Sequence, residues 1–434
     1  MNPLFRNDPQ GAYPDSWYVA SSDIPPPRPA LEGSVTADVA ILGAGYTGLC
    51  AALYLAGRGY SVAVLDAHRA AFGASGRNGG QVGSGFNKSQ RWLEANVGHN
   101  RARALWDMAE AAKAQLRDLA ADHAPEARYT PGVAHGEYTE ADAREAQAAV
   151  DHLAARYGYD QAEVLPGDAL RDIVRTPLYK GGVLDMGAGH IHPLRYGLGL
   201  ASAAEDAGAT IYEHTEVTGI SHGATVTFHT PRGTVRARHA ILAGNGYLPV
   251  IERKVSARVM PINSFIAATE PLGDRAAEVL TRDIAVADSK FVVNYYRMSE
   301  DKRLLFGGRE SYSIGFPTDI TTALRRRMET LFPQLAGVRI DHVWGGTLGI
   351  TMTRLPLVTR VAPNVLNASG FSGHGVALSG FAGRVMAEAI AGQSERFDVL
   401  SDLPITPFPG GASLRAPLLS LAMSWYSLRD RLGV

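Results

Sequence analysis

Three glycines, Gly43, Gly45 and Gly48, follow an apolar run with the spacing G-x-G-x-x-G, and Asp66 ends the next apolar run. The first glycine permits a tight turn, the second lets a pyrophosphate approach the backbone, and the third lets a helix pack closely on a strand. Phosphate oxygens would then lie at the helix N-terminus, where backbone N–H groups favour negative charge. The spacing predicts a dinucleotide clamp with Asp66 on the adenosine ribose, without distinguishing FAD from NAD.

The segments around these glycines predict the elements that must hold them. An apolar run at 39–42 reads as a strand, and an alanine- and leucine-rich run to Ala56 reads as a helix. Two glycines end the helix before a second strand at 60–65. This order favours a strand–helix–strand unit around a nucleotide. A glycine-rich turn in some other unit of this kind is the competing interpretation.

Two further glycine-rich stretches suit a flat or charged ligand. GASGRNGGQVGSG at 73–85 has too many glycines for an ordinary helix, and a ring or phosphate lying against bare backbone would need such a segment. A flexible surface loop is the alternative for that stretch. A buried strand that stops at Gly244 and Gly246 is typical of a sheet edge beside a cofactor.

Composition favours a small-molecule partner. The 434 residues are enough for two or three domain-sized cores, and the net charge of −1 gives no electrostatic case for nucleic acid. The single cysteine, Cys50, excludes an intrachain disulfide, which fits a reducing cytoplasm. We expect no signal peptide and no membrane span, because the most apolar segment, 37–57, contains glycines and a helix start. The expected location is cytoplasmic.

A metal site is not predicted. His190 and His192 form a His-x-His pair, which in an extended strand would point both imidazoles the same way. The pair supplies no third ligand, so a metal-free function is the expectation.

Periodicity along the rest of the chain predicts a nucleotide domain made of three separated stretches. Helices are expected at 91–123, 194–207 and 376–392, and antiparallel strands at 261–271 and 291–308. The expected bounds are 1–125, 183–255 and 338–400 for the nucleotide domain, 126–182 and 256–337 for an inserted strand-rich domain, and 401–434 for a C-terminal helical extension.

With that layout, six motifs resemble those of the D-amino-acid oxidase/glycine oxidase superfamily of FAD-dependent amine oxidoreductases. They run in the expected order: VAILGAGYTG at 39–48, ASGRNGGQ at 74–81, LLFGGR at 304–309, WGG at 344–346, TMTRLP at 351–356 and GFSGHGVAL at 370–378. The first motif is generic, and the others together are specific. The similarity is strongest to the gamma-glutamylputrescine oxidase group, whose C-terminal helix the segment 408–432 also resembles.

The resemblance implies an α/β fold with a Rossmann-like, glutathione-reductase-like FAD-binding domain and an inserted antiparallel-sheet substrate domain. It places Val217 at the adenine and the turn before the last predicted helix at the flavin's pyrimidine edge. A helix starting at Gly375 would aim its amides and positive dipole end at the charge of reduced flavin. The residues implied at the cofactor are Gly43, Ala44, Gly45, Thr47, Gly48, Asp66, Ala67, Ser75, Gly76, Arg77, Asn78, Gly79, Gly80, Gln81, Val217, Gly244, Gly345, Gly373, His374, Gly375 and Val376.

The chain departs from the wider superfamily at two points. Asp66 stands where glutamate is more frequent, and the shorter carboxylate still reaches two ribose hydroxyls. Some relatives tether their flavin through Cys or His, but no cysteine lies near the C-terminal motif, and Arg77 and Asn78 occupy the stretch where a tethering histidine would stand. We therefore expect dissociable, non-covalent FAD.

Amine oxidation requires a free nitrogen lone pair. An alkylammonium of pKa ~10.4 is protonated at pH 7 with a bias of about 4.6 kcal/mol. An apolar, aromatic enclosure lowers that pKa, so Tyr296, Trp344 and Tyr295 are predicted pocket walls, each of which could instead be ordinary core. His374 is predicted to contact the flavin.

By the same resemblance, hydride passes to flavin N5, water hydrolyses the imine to an aldehyde or a smaller amine, and dioxygen yields hydrogen peroxide. A cation near N5 promotes the last step in relatives, and Lys290 is preferred here over Arg297 and Arg309. The rival functions are a flavin dehydrogenase of D-amino or N-methyl amino acids with a quinone or carrier acceptor, and a catalytically silent nucleotide binder. The sequence leaves oligomeric state open.

Overall fold

The computed structural model describes residues 2–7, 11–290, 292–311, 313 and 315–410. The strands in these ranges are β1 (Gly33–Leu42), β2 (Val62–Leu65), β3 (Gln81–Val82), β4 (Thr130–Glu137), β5 (Ala162–Pro166), β6 (Gly181–His190), β7 (Thr210–Tyr212), β8 (Gly219–Ser221), β9 (Val226–Thr230), β10 (Gly233–Leu242), β11 (Met260–Thr269), β12 (Ala285–Asp288), β13 (Tyr295–Met298), β14 (Leu304–Ser311), β15 (Ile340–Ile350), β16 (Leu357–Ala362) and β17 (Val365–Ser369). The α-helices are α1 (Trp17–Ala20), α2 (Tyr46–Ala56), α3 (Gln90–Val97), α4 (His99–His123), α5 (Glu140–Tyr157), α6 (Gly167–Ile173), α7 (Pro193–Asp206), α8 (Arg253–Ser256), α9 (Thr321–Leu331), α10 (Leu378–Ile390) and α11 (Glu395–Ser401).

The first sheet is mainly parallel and holds the predicted nucleotide unit. Its strands follow the order β16-β17-β10-β1-β2-β7, and the hairpin β8–β9 pairs with β10. β2 is buried along its whole length, as expected for a strand covered on both faces. In the parallel register of β1 with β2 and β10, Leu42, Leu65 and Leu242 lie side by side. The residues that follow these strands therefore share one carboxyl edge of the sheet.

Helix α2 begins directly after the turn at that edge. It packs against α7 and α10, so most of its residues are buried. At Gly383 of α10, an added Cβ would lie 2.2 Å from the carbonyl oxygen of Thr47. The two helices therefore cross with their backbones in contact, which holds the N-terminus of α2 in place over the sheet.

The second sheet is mainly antiparallel. Its path is β15-β11-β14-β13-β12-β4-β6-β3, with β5 paired to β6, and β12 with β4 is a parallel pair. A separate apolar core lies against it and contains Phe265, Tyr296 and Phe332 among others. The α/β class with an additional antiparallel sheet is thus as predicted.

The predicted domain bounds remain a prediction, and the sheet membership of three strands differs from them. β3, β6 and β15 belong to the second sheet, although β3, most of β6 and all of β15 lie in ranges predicted for the nucleotide domain. For β15 the reason is its long antiparallel ladder with β11, which runs from Met260↔Ile350 to Thr269↔Ile340.

Several predicted elements have different ends. The helix predicted at 91–123 is two helices, α3 and α4, because Gly98 between them has a φ of +84°. The helix predicted to start at Gly375 begins at Leu378. The Gly375 carbonyl nevertheless accepts a helix-type hydrogen bond from the N–H of Ser379 at 3.0 Å. Of the predicted C-terminal helical extension, 411–434 lies outside the described residues, and α11 ends at Ser401. Over the described ranges, no helix is both long and apolar enough to cross a membrane.

Candidate active site

A cavity of about 670 Å³ lies between the carboxyl edge of the first sheet and the second sheet. Gly43, Asp66 and Gly244 line it from the first sheet, and His135 and Tyr295 line it from the second. The volume is in the usual range for a site that binds a small molecule or cofactor. Groups from the two sheets therefore meet in one cavity.

The first glycine turn has the geometry of a pyrophosphate clamp. Gly43 has a φ of +104°, and an added Cβ there would meet the carbonyl oxygen of Ala243 at 2.8 Å. An added Cβ at Gly45 would lie 2.8 Å from the Oγ of Ser75, and one at Gly48 would lie 1.9 Å from the carbonyl oxygen of Gly43. The turn therefore exposes bare backbone to the cavity at the N-terminus of α2, where an anion is stabilised.

Asp66 lies beside that turn. Its Oδ2 accepts the N–H of Ala44 at 2.8 Å and its Oδ1 accepts the N–H of His68 at 2.9 Å. Burial raises the pKa of the Asp66 carboxyl to about 6. The carboxylate is oriented by backbone donors and faces the cavity, as a ribose-binding group requires.

The second glycine-rich stretch is held in place by hydrogen bonds, so a flexible loop does not describe it. The Oγ of Ser75 accepts the N–H of Tyr46 at 3.0 Å, which joins the stretch to the start of α2. Arg77 is buried, and it donates through Nε to the Phe72 carbonyl at 2.7 Å and through Nη1 to the Gly345 carbonyl at 3.0 Å. The stretch forms one wall of the cavity between the two sheets.

His374 connects the C-terminal glycine turn to the same wall. Its Nε2 lies 3.0 Å from the Gly85 carbonyl oxygen, and an added Cβ at Gly83 would meet its ring at 2.7 Å. Burial lowers the pKa of His374 below its usual value, against the opposing effect of its hydrogen bond to the Gly85 carbonyl. His135 lines the cavity from β4 with its side chain exposed to that space, and its enclosure by the protein also lowers its pKa. Both imidazoles are therefore neutral at pH 7.

Two adjacent tyrosines on β13 point to opposite faces of the second sheet. Tyr295 pairs with Gly307, where an added Cβ would lie 2.1 Å from the Tyr295 ring, and its OH lies 3.2 Å from the Oγ of Ser264. Tyr296 pairs with Phe306, stacks on its ring and bonds Tyr179 at 3.1 Å. The missing side chain at Gly307 therefore gives Tyr295 its place on the cavity wall.

The structure places three of the residues predicted to be catalytic away from the cavity wall. Tyr296 is 1% exposed in the core on the far side of the sheet. Trp344 is buried and donates its indole N–H to the Arg77 carbonyl at 3.0 Å, behind the glycine-rich stretch. Lys290 lies in the turn after β12, with its Nζ 4.5 Å from the ring centroid of Tyr138. None of the three lines the cavity, whereas His374 does.

Most of the predicted cofactor residues line the cavity together: Gly43, Gly45, Thr47, Asp66, Ala67, Ser75, Arg77, Asn78, Gly79, Gln81, Val217, Gly244, Gly373, His374, Gly375 and Val376. Five others lie behind this lining: Ala44, Gly48, Gly76, Gly80 and Gly345. Glycine at some of these positions lets two backbone segments come close together. At Gly76, for example, an added Cβ would lie 2.2 Å from the Ala71 carbonyl oxygen.

Sequence reasoning missed several lining residues of the second sheet, including His135, Ser264 and Glu310. Alternation on β4 and β14 could have indicated which positions share a face, but not which face meets the cavity. The His190 and His192 pair is buried apart from this cavity, and burial lowers the pKa of each. Within the described residues, no group of three or more potential ligands could hold a metal.

The glycine clamp, the ordered carboxylate and the two-sheet cavity define a dinucleotide-dependent enzyme. The chain belongs to the DAO family, described as FAD dependent oxidoreductase, whose model matches residues 38–389. The protein is therefore an FAD-dependent oxidoreductase, as predicted.

Named relatives agree with this assignment. The chain is 43% identical to "Probable oxidoreductase OrdL" of Rhizobium meliloti, over 96% of this chain and 97% of the relative. It is 38% identical to "Gamma-glutamylputrescine oxidoreductase" of Escherichia coli, over 96% of this chain and 99% of the relative. Among solved structures, glycine oxidase from Geobacillus kaustophilus has a TM-score of 0.71 at 21% identity and covers 86% of this chain and 99% of its own, which shows the shared fold.

The residues on the cavity wall fit FAD. Gly43 and Gly45 leave space for the pyrophosphate, Asp66 is placed for the ribose, and Val217 lies on the wall nearby. Bound FAD supplies a hydride acceptor. That the cofactor is held without a covalent bond remains a prediction.

Because a ribose hydroxyl donates to the charged carboxylate, FAD affinity should rise with pH up to about 6, the pKa of Asp66, and then level off. Below that pH one proton must be released on binding, so affinity at pH 5 should be about tenfold lower than at pH 7. Fluorescence titration of the apoprotein with FAD measures this slope. Asp66→Asn should abolish it.

Asp38→Asn is the matched control, because hydrogen bonds from Ser61 lower the pKa of Asp38 to about 2 and it stays charged throughout the range. A slope that survives in Asp66→Asn would assign the titration to another group.

Proposed function

We propose that this enzyme oxidises the C–N bond of a primary or secondary amine, with gamma-glutamylputrescine or a related amine as substrate and dioxygen as acceptor. The observation that carries the proposal concerns the end of the cavity that the second sheet forms. There, two neutral imidazoles, His135 and His374, line the same space as the Tyr295 ring.

This end of the cavity suits an amine that must lose a proton before it reacts. A buried aromatic wall disfavours the ammonium form, and a neutral imidazole can accept its proton. The OH of Tyr295 is protonated, because burial raises its pKa, so it can orient the amine nitrogen together with Ser264. The proposal assigns the proton-accepting role to His374 and His135.

In the proposed reaction, bound FAD would serve as acceptor for a hydride from the substrate carbon, and the nitrogen would give a proton to the protein, which leaves an imine. Water adds to the imine, and an aldehyde and ammonia or a smaller amine leave. Dioxygen takes up the two electrons and two protons and becomes hydrogen peroxide.

The substrate class rests on the relative named for gamma-glutamylputrescine, which is 38% identical over almost its full length. The cytoplasm remains the proposed location, and its support is that the single cysteine is buried and reduced.

An anaerobic titration of the holoenzyme tests the proposal. Gamma-glutamylputrescine is expected to bleach the flavin absorbance, while putrescine, sarcosine and D-alanine do not, and air should restore the colour with release of hydrogen peroxide. Bleaching that air does not reverse would replace dioxygen by another acceptor. Bleaching by sarcosine or D-alanine alone would replace the substrate, and no bleaching by any amine would contradict amine oxidation.

Two neighbouring tyrosines provide a matched pair for the same assay. Tyr295→Phe removes a hydroxyl from the cavity and should slow flavin reduction at least tenfold. Tyr296→Phe removes a hydroxyl from the core on the other face and should change the rate less than twofold. Equal rates for both variants would show that the amine does not use the Tyr295 hydroxyl.

A further inference from the structure

The nucleotide end of the cavity has an outer wall that lies outside the matched family region. Asn2 and Phe5 line the cavity with His68, Glu216 and Tyr247. The family model begins at residue 38, so Asn2 and Phe5 lie before the matched region. We call residues 2–7 and 11–13 the N-terminal strap.

One end of the strap is fixed beside the predicted adenine contact. The backbone N–H of Asn2 donates to Oε1 of Glu216 at 3.2 Å, and its Nδ2 donates to the Tyr247 carbonyl at 2.9 Å. Glu216 directly precedes Val217, which also lines the cavity. The ring centroid of Phe5 lies 5.8 Å from that of Tyr247. The strap therefore reaches across the mouth of the cavity at this end.

The other end of the strap is fixed next to Asp66. The N–H of Gly11 donates to Nδ1 of His68 at 3.1 Å, and the OH of Tyr13 donates to the Ala70 carbonyl at 2.7 Å. Phe5 meets the His68 ring edge-on with centroids 4.7 Å apart, and His68 stacks on Phe72 at 3.9 Å. The strap thus joins the segment after β2 to the segment after β10.

The contact with Gly11 fixes the tautomer of His68. Because Nδ1 accepts from Gly11, the ring proton is on Nε2, which is buried and has no hydrogen-bond partner among the described residues. The side chain is 3% exposed and lines the cavity. Burial lowers the pKa of His68 to about 4, so this tautomer is the neutral form present at pH 7. His68 therefore holds the strap through Nδ1 in its neutral form.

We propose that the N-terminal strap and His68 form a cover over the adenosine half of bound FAD, and that FAD enters and leaves only when the strap opens. The strap contacts described above are with groups that flank the predicted ribose and adenine contacts, and not with His135, His374 or Tyr295. It therefore controls exchange of the cofactor, and this inference does not depend on which substrate the enzyme oxidises.

The test uses the holoenzyme and the variant N2A/F5A, with R6A as a control because Arg6 is exposed on the same segment. FAD release after dilution is followed by the rise in flavin fluorescence. Affinities of each apoprotein for FAD and for FMN, which lacks the adenosine half, are measured by titration. N2A/F5A should release FAD at least tenfold faster and bind it at least tenfold more weakly, with FMN affinity within twofold of the wild type and R6A unchanged.

Unchanged FAD release in N2A/F5A would overturn the proposal, as would an equal loss of FMN and FAD affinity, which would mean a general loosening of the site. H68F keeps the stack on Phe72 and removes the Nδ1 acceptor that holds the N–H of Gly11, so it should also weaken FAD binding and not FMN binding. If N2A/F5A does not fold, H68F and the single variant F5A decide the question by the same two affinities. Failure of amine oxidation would leave these results unaffected.

Discussion

Replacement of Gly48 by alanine is expected to remove FAD binding almost completely, with at least a hundredfold loss of affinity. The added Cβ would lie 1.9 Å from the carbonyl oxygen of Gly43 and 3.2 Å from Cγ2 of Ile41. Backbone atoms cannot move aside as a flexible side chain can, so α2 must shift away from β1. The shift would displace the N–H groups that receive the pyrophosphate. A hundredfold loss corresponds to about 2.7 kcal/mol.

The matched control is Gly223→Ala. A Cβ there would make only an ordinary contact, 3.4 Å from the Thr225 carbonyl oxygen, in an exposed turn far along the chain from the clamp. Fluorescence titration with FAD measures both variants, and circular dichroism reports whether each apoprotein folds. Wild-type affinity in a folded Gly48→Ala protein would show that close packing at this glycine is not what shapes the FAD site.

Replacement of Lys113 by methionine is expected to give the largest loss of stability, about 3–5 kcal/mol. Lys113 lies on α4 and is 1% exposed, and its Nζ contacts Glu110 at 2.8 Å, the Oγ of Ser84 at 2.6 Å and the OH of Tyr159 at 3.3 Å. Ser84 and Tyr159 in turn donate to the buried carboxylate of Asp185 at 2.6 and 2.5 Å. Without the ammonium group, that buried negative charge loses its nearby compensating cation.

Urea unfolding followed by circular dichroism measures the loss, and Arg103→Met on the same helix is its control. Arg103 forms an exposed i,i+4 pair with Asp107 at 3.3 Å, which contributes at most about 1 kcal/mol. Equal unfolding midpoints for the two variants would mean that the Lys113 cluster does not stabilise the fold. Because Ser84 lies between Gly83 and Gly85, which contact His374, the Lys113 variant should also bind FAD more weakly.

Features that depend on a short run of the chain could be predicted. The Gly43–Gly48 turn, the stretch at 73–85 and the motif at 370–378 each place their residues by local backbone geometry, and they line one cavity. The place of Asp66 could also be predicted. Parallel strands end at the same edge of a sheet, so the residue that follows β2 must lie beside the clamp that follows β1. Membership of an FAD-dependent family followed from these same motifs.

Features that depend on strand facing could not be predicted. Tyr295 and Tyr296 are chemically alike and adjacent, and only the pairing of Tyr295 with Gly307 and of Tyr296 with Phe306 decides which ring faces the cavity. The residue type of Trp344 predicts a place beside the substrate, whereas its indole N–H donates a hydrogen bond to the Arg77 carbonyl. Aromatic residues pack in cores and line pockets equally well, so composition does not separate the two roles.

The sequence by itself therefore determined the clamp and the order of the elements, because those requirements act on the backbone within a few residues, and the resemblance of its six motifs implied FAD. Only the tertiary structure decided which groups join them across long separations: His135 on the cavity wall, the buried Lys113 beneath Ser84, and the N-terminal strap against His68 and Tyr247. Each of these contacts joins residues from distant parts of the chain. Such contacts depend on sheet register and on the crossing of chain segments, which no local pattern encodes.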